Sequence, residues 1–495
     1  MQMKKLIIII GIFTLTFLGT SCKDNFFDVN KNPNDAVIVP AELILPAALQ
    51  NSASYVSTNF QFLNLWMGYW NWSGNYSINT SDKNYQFVNT FNNGIWNTQY
   101  ANLLNNYNGI ENKAIDSKQP LLQAMAKTMR VHGFQYVVDT YNNAPYTDAL
   151  KGTTSILPKY DDAKTIYEDF IVQLDLAMDL FTKGTGSFNP GANDIMFGGD
   201  ISQWKKFVNT LKLRILLRQS EMVGRDAYIK AQLAKIKSSN VGFLSAGESA
   251  NVNPGYLKST GKQSPFWENY GFGINGQPVE ANNISRANLY GITFYKQTND
   301  PRLGAFYAPV GGIFDGRFFG DIDVLPNSKT SAIGPGVLKS FDQDAVLLSS
   351  HESLFLQAEA AQRGWITGDS RALYQMAITE SFKNTNIINA TIAANDYYSQ
   401  TGLKNVSWDA TNNDKIALII TQKWASLNAL SPFEAWCDYR RLGIPAIPIS
   451  KDPSTNIKKI PSRLFYPQSE YNYNAENVKG QGTINQFDSK IFWMK

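Results

Sequence analysis

Residues 351–382 read HESLFLQAEAAQRGWITGDSRALYQMAITESF. Two runs of helical periodicity flank a turn that contains glycine. Ala358, Ala360 and Ala361 place small side chains on the first run, so the second helix can lie close against it. The same texture recurs upstream. In DDAKTIYEDFIVQLDLAMDLF, residues 161–181, Asp161 or Asp162 is placed to cap a helix whose inner face carries Ile166, Phe170, Leu174 and Ala177. In residues 199–219, GDISQWKKFVNTLKLRILLRQ, Asp200 or Ser202 is the cap, and Trp204, Val208, Leu211 and Ile215 share a face. Residues 119–141 and 413–428 are further amphipathic runs, and long strand-like alternation is scarce. The expected fold is mainly α, with tetratricopeptide-like helix hairpins forming one scaffold, although no strict repeat of about 34 residues is visible.

Two regions break this pattern. Residues 55–100 are rich in aromatics and Asn, and residues 242–345 in Gly, Pro and Asn. Loops this long in a compact domain are functional or disordered, and the abundance of Trp, Tyr and Phe argues against disorder. They are the expected ligand-binding regions. Residues 65–76, LWMGYWNWSGNY, are the sharpest case, with three tryptophans and two tyrosines among loop residues. An exposed ring covers the C–H face of a sugar, while neighbouring amides satisfy its hydroxyls. Trp70, Trp72 and Tyr76 are candidate ligand residues on this basis, as are Trp267, Asn269 and Tyr270, near Asn275 and Gln277. Trp66 and Trp70, four apart, fit equally a buried helix stripe that begins near Phe60. Trp96, Tyr100, Trp204, Trp365, Trp424 and Trp436 read as packing.

The N-terminus has the form of a secretory signal, with Lys4 and Lys5 followed by an apolar run from Leu6 to Leu18. The run is short for a membrane span. Small residues lead to Cys22, so residues 1–21 are the expected signal and Cys22 an acylated lipid anchor. Polar, turn-rich residues 22–40 follow as a tether, and 41–495 form the folded body. Cys437, the other cysteine, is expected in the core.

Charged residues make up 17% of the chain and the net charge is +4, with no basic block, so nucleic-acid binding has no electrostatic footprint. Catalytic signatures are missing. His132 and His351 lie on different predicted helices, and neither belongs to a zincin motif. The chain has no cysteine cluster for a metal, no Gly-x-Ser-x-Gly elbow and no phosphate-binding glycine loop. Asp161 and Asp162 read as helix caps rather than a glycosidase pair. No cofactor is implied.

Three blocks of the C-terminal third, HESLFLQAEAAQRGW, ITQKWASLNALSPFEAWCDYRRLGIP and IPSRLFYPQSEYNYNAENV, resemble the signature blocks of the SusD/RagB family of outer-membrane nutrient-binding lipoproteins. NKNPNDA, VVDTYNNAPYTDALKG, FGGDISQWKKFVNTLKLRILLR and NDPRLGAFY agree, in the right order. The resemblance implies a helical scaffold with a loop-rich ligand face and a place on the cell surface. It also implies a SusC-like TonB-dependent transporter as partner, to which oligosaccharides, or in some members peptides, are delivered. A surface glycoside hydrolase is the remaining alternative. The family's ligand residues lie in variable loops, so none carries over by motif. Trp436, Asp438, Arg440 and Arg441 are expected to lock the last long helix by packing and ion pairing.

Overall fold

The caps anticipated from sequence hold the ends of the long helices. Asp162 accepts the Thr165 N–H at the start of helix Ala163–Lys183, and Asp200 accepts the N–H groups of Ser202 and Gln203 at the start of Ile201–Arg218. Ser349 and Asp369 cap Ser350–Gln362 and Ser370–Asn384 in the same way. Ala358 and Ala360 are fully buried, Ala358 in the apolar cluster shared with Ser370–Asn384 and Ala360 in the main core. This computed structural model describes residues 39–76, 80–410, 414–456 and 458–495. The expected signal, Cys22 and nearly all of the 22–40 tether lie outside them. Residues Ala41–Lys495 form one compact unit.

Within it, successive helices fold back on one another. Leu104–Asp116 packs on Pro120–Tyr141, which packs on Ala163–Lys183, which packs on Ile201–Arg218. Ser350–Gln362 packs on Ser370–Asn384, and that helix on Ala390–Tyr398. Ile201–Arg218 also touches Ser350–Gln362, so two series of hairpins distant in sequence join into one stack. The described strands form four short antiparallel pairs, with a few isolated bridges besides. The fold is mainly α and built from tetratricopeptide-like hairpins. No helix among the described residues is long and apolar enough to cross a membrane.

Where the hairpins meet, the interior is ionic. Arg214 pairs with Glu352 at 3.2 Å and Glu434 at 3.5 Å, and Arg218 pairs with Glu434 at 2.6 Å and Asp139 at 3.2 Å. Arg441 bridges Glu359 and Asp438, and Asp438 also holds Lys423 at 2.9 Å. Every one of these side chains is buried. Burial of this kind is tolerated only with close partners, and the partners come from helices Pro120–Tyr141, Ile201–Arg218, Ser350–Gln362, Lys415–Ser426 and Pro432–Leu442. Trp436 lies beneath the Arg440 guanidinium, 3.4 Å from ring centroid to Cζ, and donates its N–H to the Pro461 carbonyl. The EAWCDYRRLG block therefore has the locking role expected of it. Cys437 is buried, but its surroundings are charged rather than apolar. Arg440 Nη2 lies 3.1 Å from its Sγ, and burial still pushes the thiol up to about 12.

This network makes stability depend on pH. Burial alone would raise Glu434, but Arg218 and Arg214 outweigh it and hold the carboxyl at about 2. Glu359 is likewise held low by Arg441 and Arg363 against its burial, and Asp438 by Lys423 and Arg441. A carboxyl depressed in the folded state contributes stability above its unfolded value, near 4.5 for Glu and 3.8 for Asp, and loses it as pH falls through the folded value. Glu352, raised by burial and by Glu434, acts in the opposite sense and offsets part of the effect. The urea midpoint is therefore expected to fall steadily from pH 4.5 towards pH 2. A midpoint unchanged across that window would contradict this account of the network.

His132 and His351 are both buried, and desolvation lowers each to about 3. They are neutral core residues at physiological pH, out of reach of any ligand.

Candidate ligand-binding cleft

Helix Gln61–Trp66 ends in a turn at Gly68, whose φ is +74°. A Cβ there would stand 2.7 Å from the Tyr290 ring, so glycine is required on two counts. The chain then enters strand Trp70–Trp72, paired antiparallel with Ser285–Ala287, Trp70 opposite Ala287 and Trp72 opposite Ser285. Alternation puts Trp70 and Trp72 on one face of this ribbon. Asn71, on the other face, donates to the carbonyls of Arg317 and Phe318. Gly74 closes the segment, its N–H 2.9 Å from the Leu325 carbonyl oxygen. A Cβ at Gly74 would lie 2.6 Å from that oxygen.

Trp72, half-buried, lines an open cleft of ≈ 630 Å³. The cleft's phenylalanines belong to one cluster of rings. Phe87 and Phe91 stack at 4.5 Å, Phe91 lies parallel to buried Trp66 at 6.1 Å, and Phe62 meets Phe91 edge-on at 5.4 Å. Thr58, Asn59, Gln61, Gln86 and Asn92 supply hydroxyl and amide groups around them. Gln61 is oriented by donating to Ser285 Oγ at 3.0 Å, which ties the cleft to the strand pair. Among the described residues, no charged side chain lines this cleft. A smaller cleft of ≈ 420 Å³ shares Thr58 with it and is lined by Gln50, Asn51, Gln263 and Asn269 among others. Glu268, the charged residue among its described lining, accepts the Gly261 N–H at 2.8 Å. Among the described residues, no group of His, Cys, Asp and Glu is arranged to hold a metal ion.

The structure corrects two of the expected ligand residues. Trp70 is 0% exposed and Tyr270 1%, and their rings meet edge-to-face at 5.1 Å. Tyr270 covers the Trp70 end of the ribbon face, so neither ring has a side left for a ligand. The cover stops short of Trp72. Asn269, on helix Pro265–Tyr270, lines the smaller cleft. Trp267 is half-buried against Phe272 at 5.4 Å and lines neither cleft. Tyr76, 42% exposed, stands outside both, as do Asn275 and Gln277, which share a turn through an Asn275 side-chain hydrogen bond. Trp66 is core, and Trp96, Trp204, Trp424 and Trp436 are buried as expected. Trp365 is only half-buried, its N–H bound to Asp226.

Sequence reading missed Phe62, Phe87 and Phe91 as cleft residues. The signal was present in the aromatic and Asn-rich composition of 55–100, but it does not distinguish a ring that supports the cleft from one that faces it.

The model of the SusD-like family, described as starch-binding and associating with the outer membrane, matches residues 31–467. No curated protein matches the chain. Solved structures similar to it include a chitin-binding SusD homologue from Flavobacterium johnsoniae, with TM-score 0.76 and 23% identity over 91% of this chain and 98% of that one. A SusD-like protein from Bacteroides thetaiotaomicron gives TM-score 0.74 and 23% identity over 92% and 99%. A chitin-binding protein gives TM-score 0.74 and 24% identity over 92% and 100%. These structures agree in fold along nearly their whole length, and the family match spans most of the sequence: the chain belongs to the SusD-like family.

Proposed function

We propose that this protein is a non-catalytic outer-membrane lipoprotein, anchored through Cys22 and facing the cell exterior. It captures oligosaccharide or polysaccharide in the Trp72 cleft and delivers it to a SusC-like TonB-dependent transporter. The observation that carries this reading is the character of the cleft. A tryptophan and a cluster of phenylalanines line it, amides and hydroxyls surround them, and no charged side chain is among the described lining residues. Rings of this kind match the apolar faces of neutral sugars, and amides match their hydroxyls. None of the described lining residues is a carboxylate, so none of them supplies the pair of acids that glycoside hydrolysis uses. The family description and the chitin-binding neighbours favour carbohydrate over peptide.

In native gels containing soluble starch or glycol chitin, the purified protein is expected to be retarded by at least one polymer and to release no reducing ends. Release of reducing ends would overturn the non-catalytic assignment. Heat of binding with peptides, and none with glycans, would overturn the ligand class.

A further inference from the structure

The loop that lines the cleft is bonded to a short helix that carries an exposed tyrosine. Helix Gln468–Tyr473 is joined to the 86–92 loop by a pair of hydrogen bonds, Gln468 N–H to the Asn89 carbonyl at 3.1 Å and Asn89 Nδ2 to Gln468 Oε1 at 2.7 Å. Asn89 lies between Val88 and Thr90, which both line the cleft. Phe465, just upstream of the helix, meets Phe87 edge-on at 5.7 Å. The far end is clamped too: Tyr160 donates to Glu470 at 2.7 Å, and Asn474 donates to the Pro158 carbonyl at 3.0 Å.

On this helix Tyr471 and Asn472 stand three and four residues after Gln468, on the face that Gln468 turns towards the loop. Gln468 Nε2 donates to Asn472 Oδ1 at 2.9 Å, which marks that face. Tyr471 is 37% exposed and makes no hydrogen bond or ring contact among the described residues. It lies about 4.5 Å further along the helix axis than Gln468, outside the cleft lining. Tyr473 is more exposed, at 78%, but it follows Glu470 by three residues and so stands on a different side of the helix.

We infer that Tyr471, with Asn472 beside it, is a distal sugar subsite, so that a chain seated on Trp72 and running out over Val88 gains a second stacked ring. The inference rests on the carbohydrate reading of the cleft and deepens it, because it makes the preferred ligand a polymer rather than a short oligosaccharide. Tyr471 suits the task physically. A tyrosine has few rotatable bonds, and a clamped helix pre-pays much of the cost of ordering it. A polymer engaging both rings is held by two contacts joined through its own backbone.

The test compares Tyr471→Ala, Tyr473→Ala and Trp72→Ala in gels of soluble starch and glycol chitin, and in calorimetry with maltotriose and chitotriose. Tyr471→Ala is expected to weaken polymer binding by about three- to tenfold, the range for one stacked ring, and to leave trisaccharide binding unchanged. Tyr473→Ala should alter neither, and Trp72→Ala should weaken both. If Tyr471→Ala binds polymer like wild type while Trp72→Ala does not, the distal subsite is wrong and the cleft reading stands. An equal loss in Tyr473→Ala would overturn the assignment of the face. If Trp72→Ala binds normally, or wild type is retarded by neither polymer, the cleft reading fails and the subsite with it. Both tyrosines are exposed, so urea midpoints equal to wild type will show that the variants are folded.

Discussion

Arg441→Ala is expected to lower folding stability by about 3–5 kcal/mol, the range for removing one partner from a buried ion pair. Arg441 is buried and donates to both oxygens of Glu359, to Asp438 and to Ser220. Truncation leaves two carboxylates inside the protein with part of their compensation gone, and it removes packing as well as charge. Lys423 still faces Asp438 and Arg363 still faces Glu359, so neither acid is left wholly alone. The natural contrast is Arg371, which makes a two-pronged pair with Asp409 on the surface. Exposed pairs contribute about 0–1 kcal/mol, and Arg371→Ala should fall in that range. Urea unfolding followed by tryptophan fluorescence measures both. An Arg441 variant no less stable than the Arg371 variant would mean that the buried network does not hold the hairpins together.

Trp72→Ala is expected to weaken glycan binding by about 2 kcal/mol, roughly thirtyfold in Kd, as for an aromatic at the centre of a binding site. The fold should tolerate the change, because Trp72 is half-buried at the open end of the ribbon face. Trp70→Ala, two residues earlier, should do the reverse. It deletes a fully buried indole that touches Tyr270, and large-to-small changes of this kind cost about 3–5 kcal/mol of stability. Measuring both variants by affinity gel and by urea midpoint separates the two roles. Intact retardation in Trp72→Ala, or an unperturbed midpoint in Trp70→Ala, would show that the division between platform and core has been drawn in the wrong place.

The helical frame was legible in the sequence because its determinants are local. Spacing of apolar residues, an Asp or Ser just before each run and glycine in the turn are written into short windows, and Asp162 and Asp200 cap the helices they were expected to cap. The scaffold role of Trp436, Asp438, Arg440 and Arg441 was legible for a related reason, since buried charges next to a tryptophan on one helix need partners from others. The charged setting of Cys437 was legible only in Arg440, three residues on, because Asp139 and Arg218 arrive from far along the chain.

The ligand face was legible only as a region. Composition marked residues 65–76 and the stretch from Trp267 to Gln277, but it could not say which rings face outward. That depends on a register and a neighbour far along the chain. Trp70 and Trp72 share one side of a strand, and the position of Tyr270, some two hundred residues later, decides that the first is core and the second lines a cleft. A helix period is a property of the segment that carries it. Exposure belongs to the packed whole, so the frame could be read from local sequence, while the choice between a buried indole and a binding surface waited for the tertiary structure.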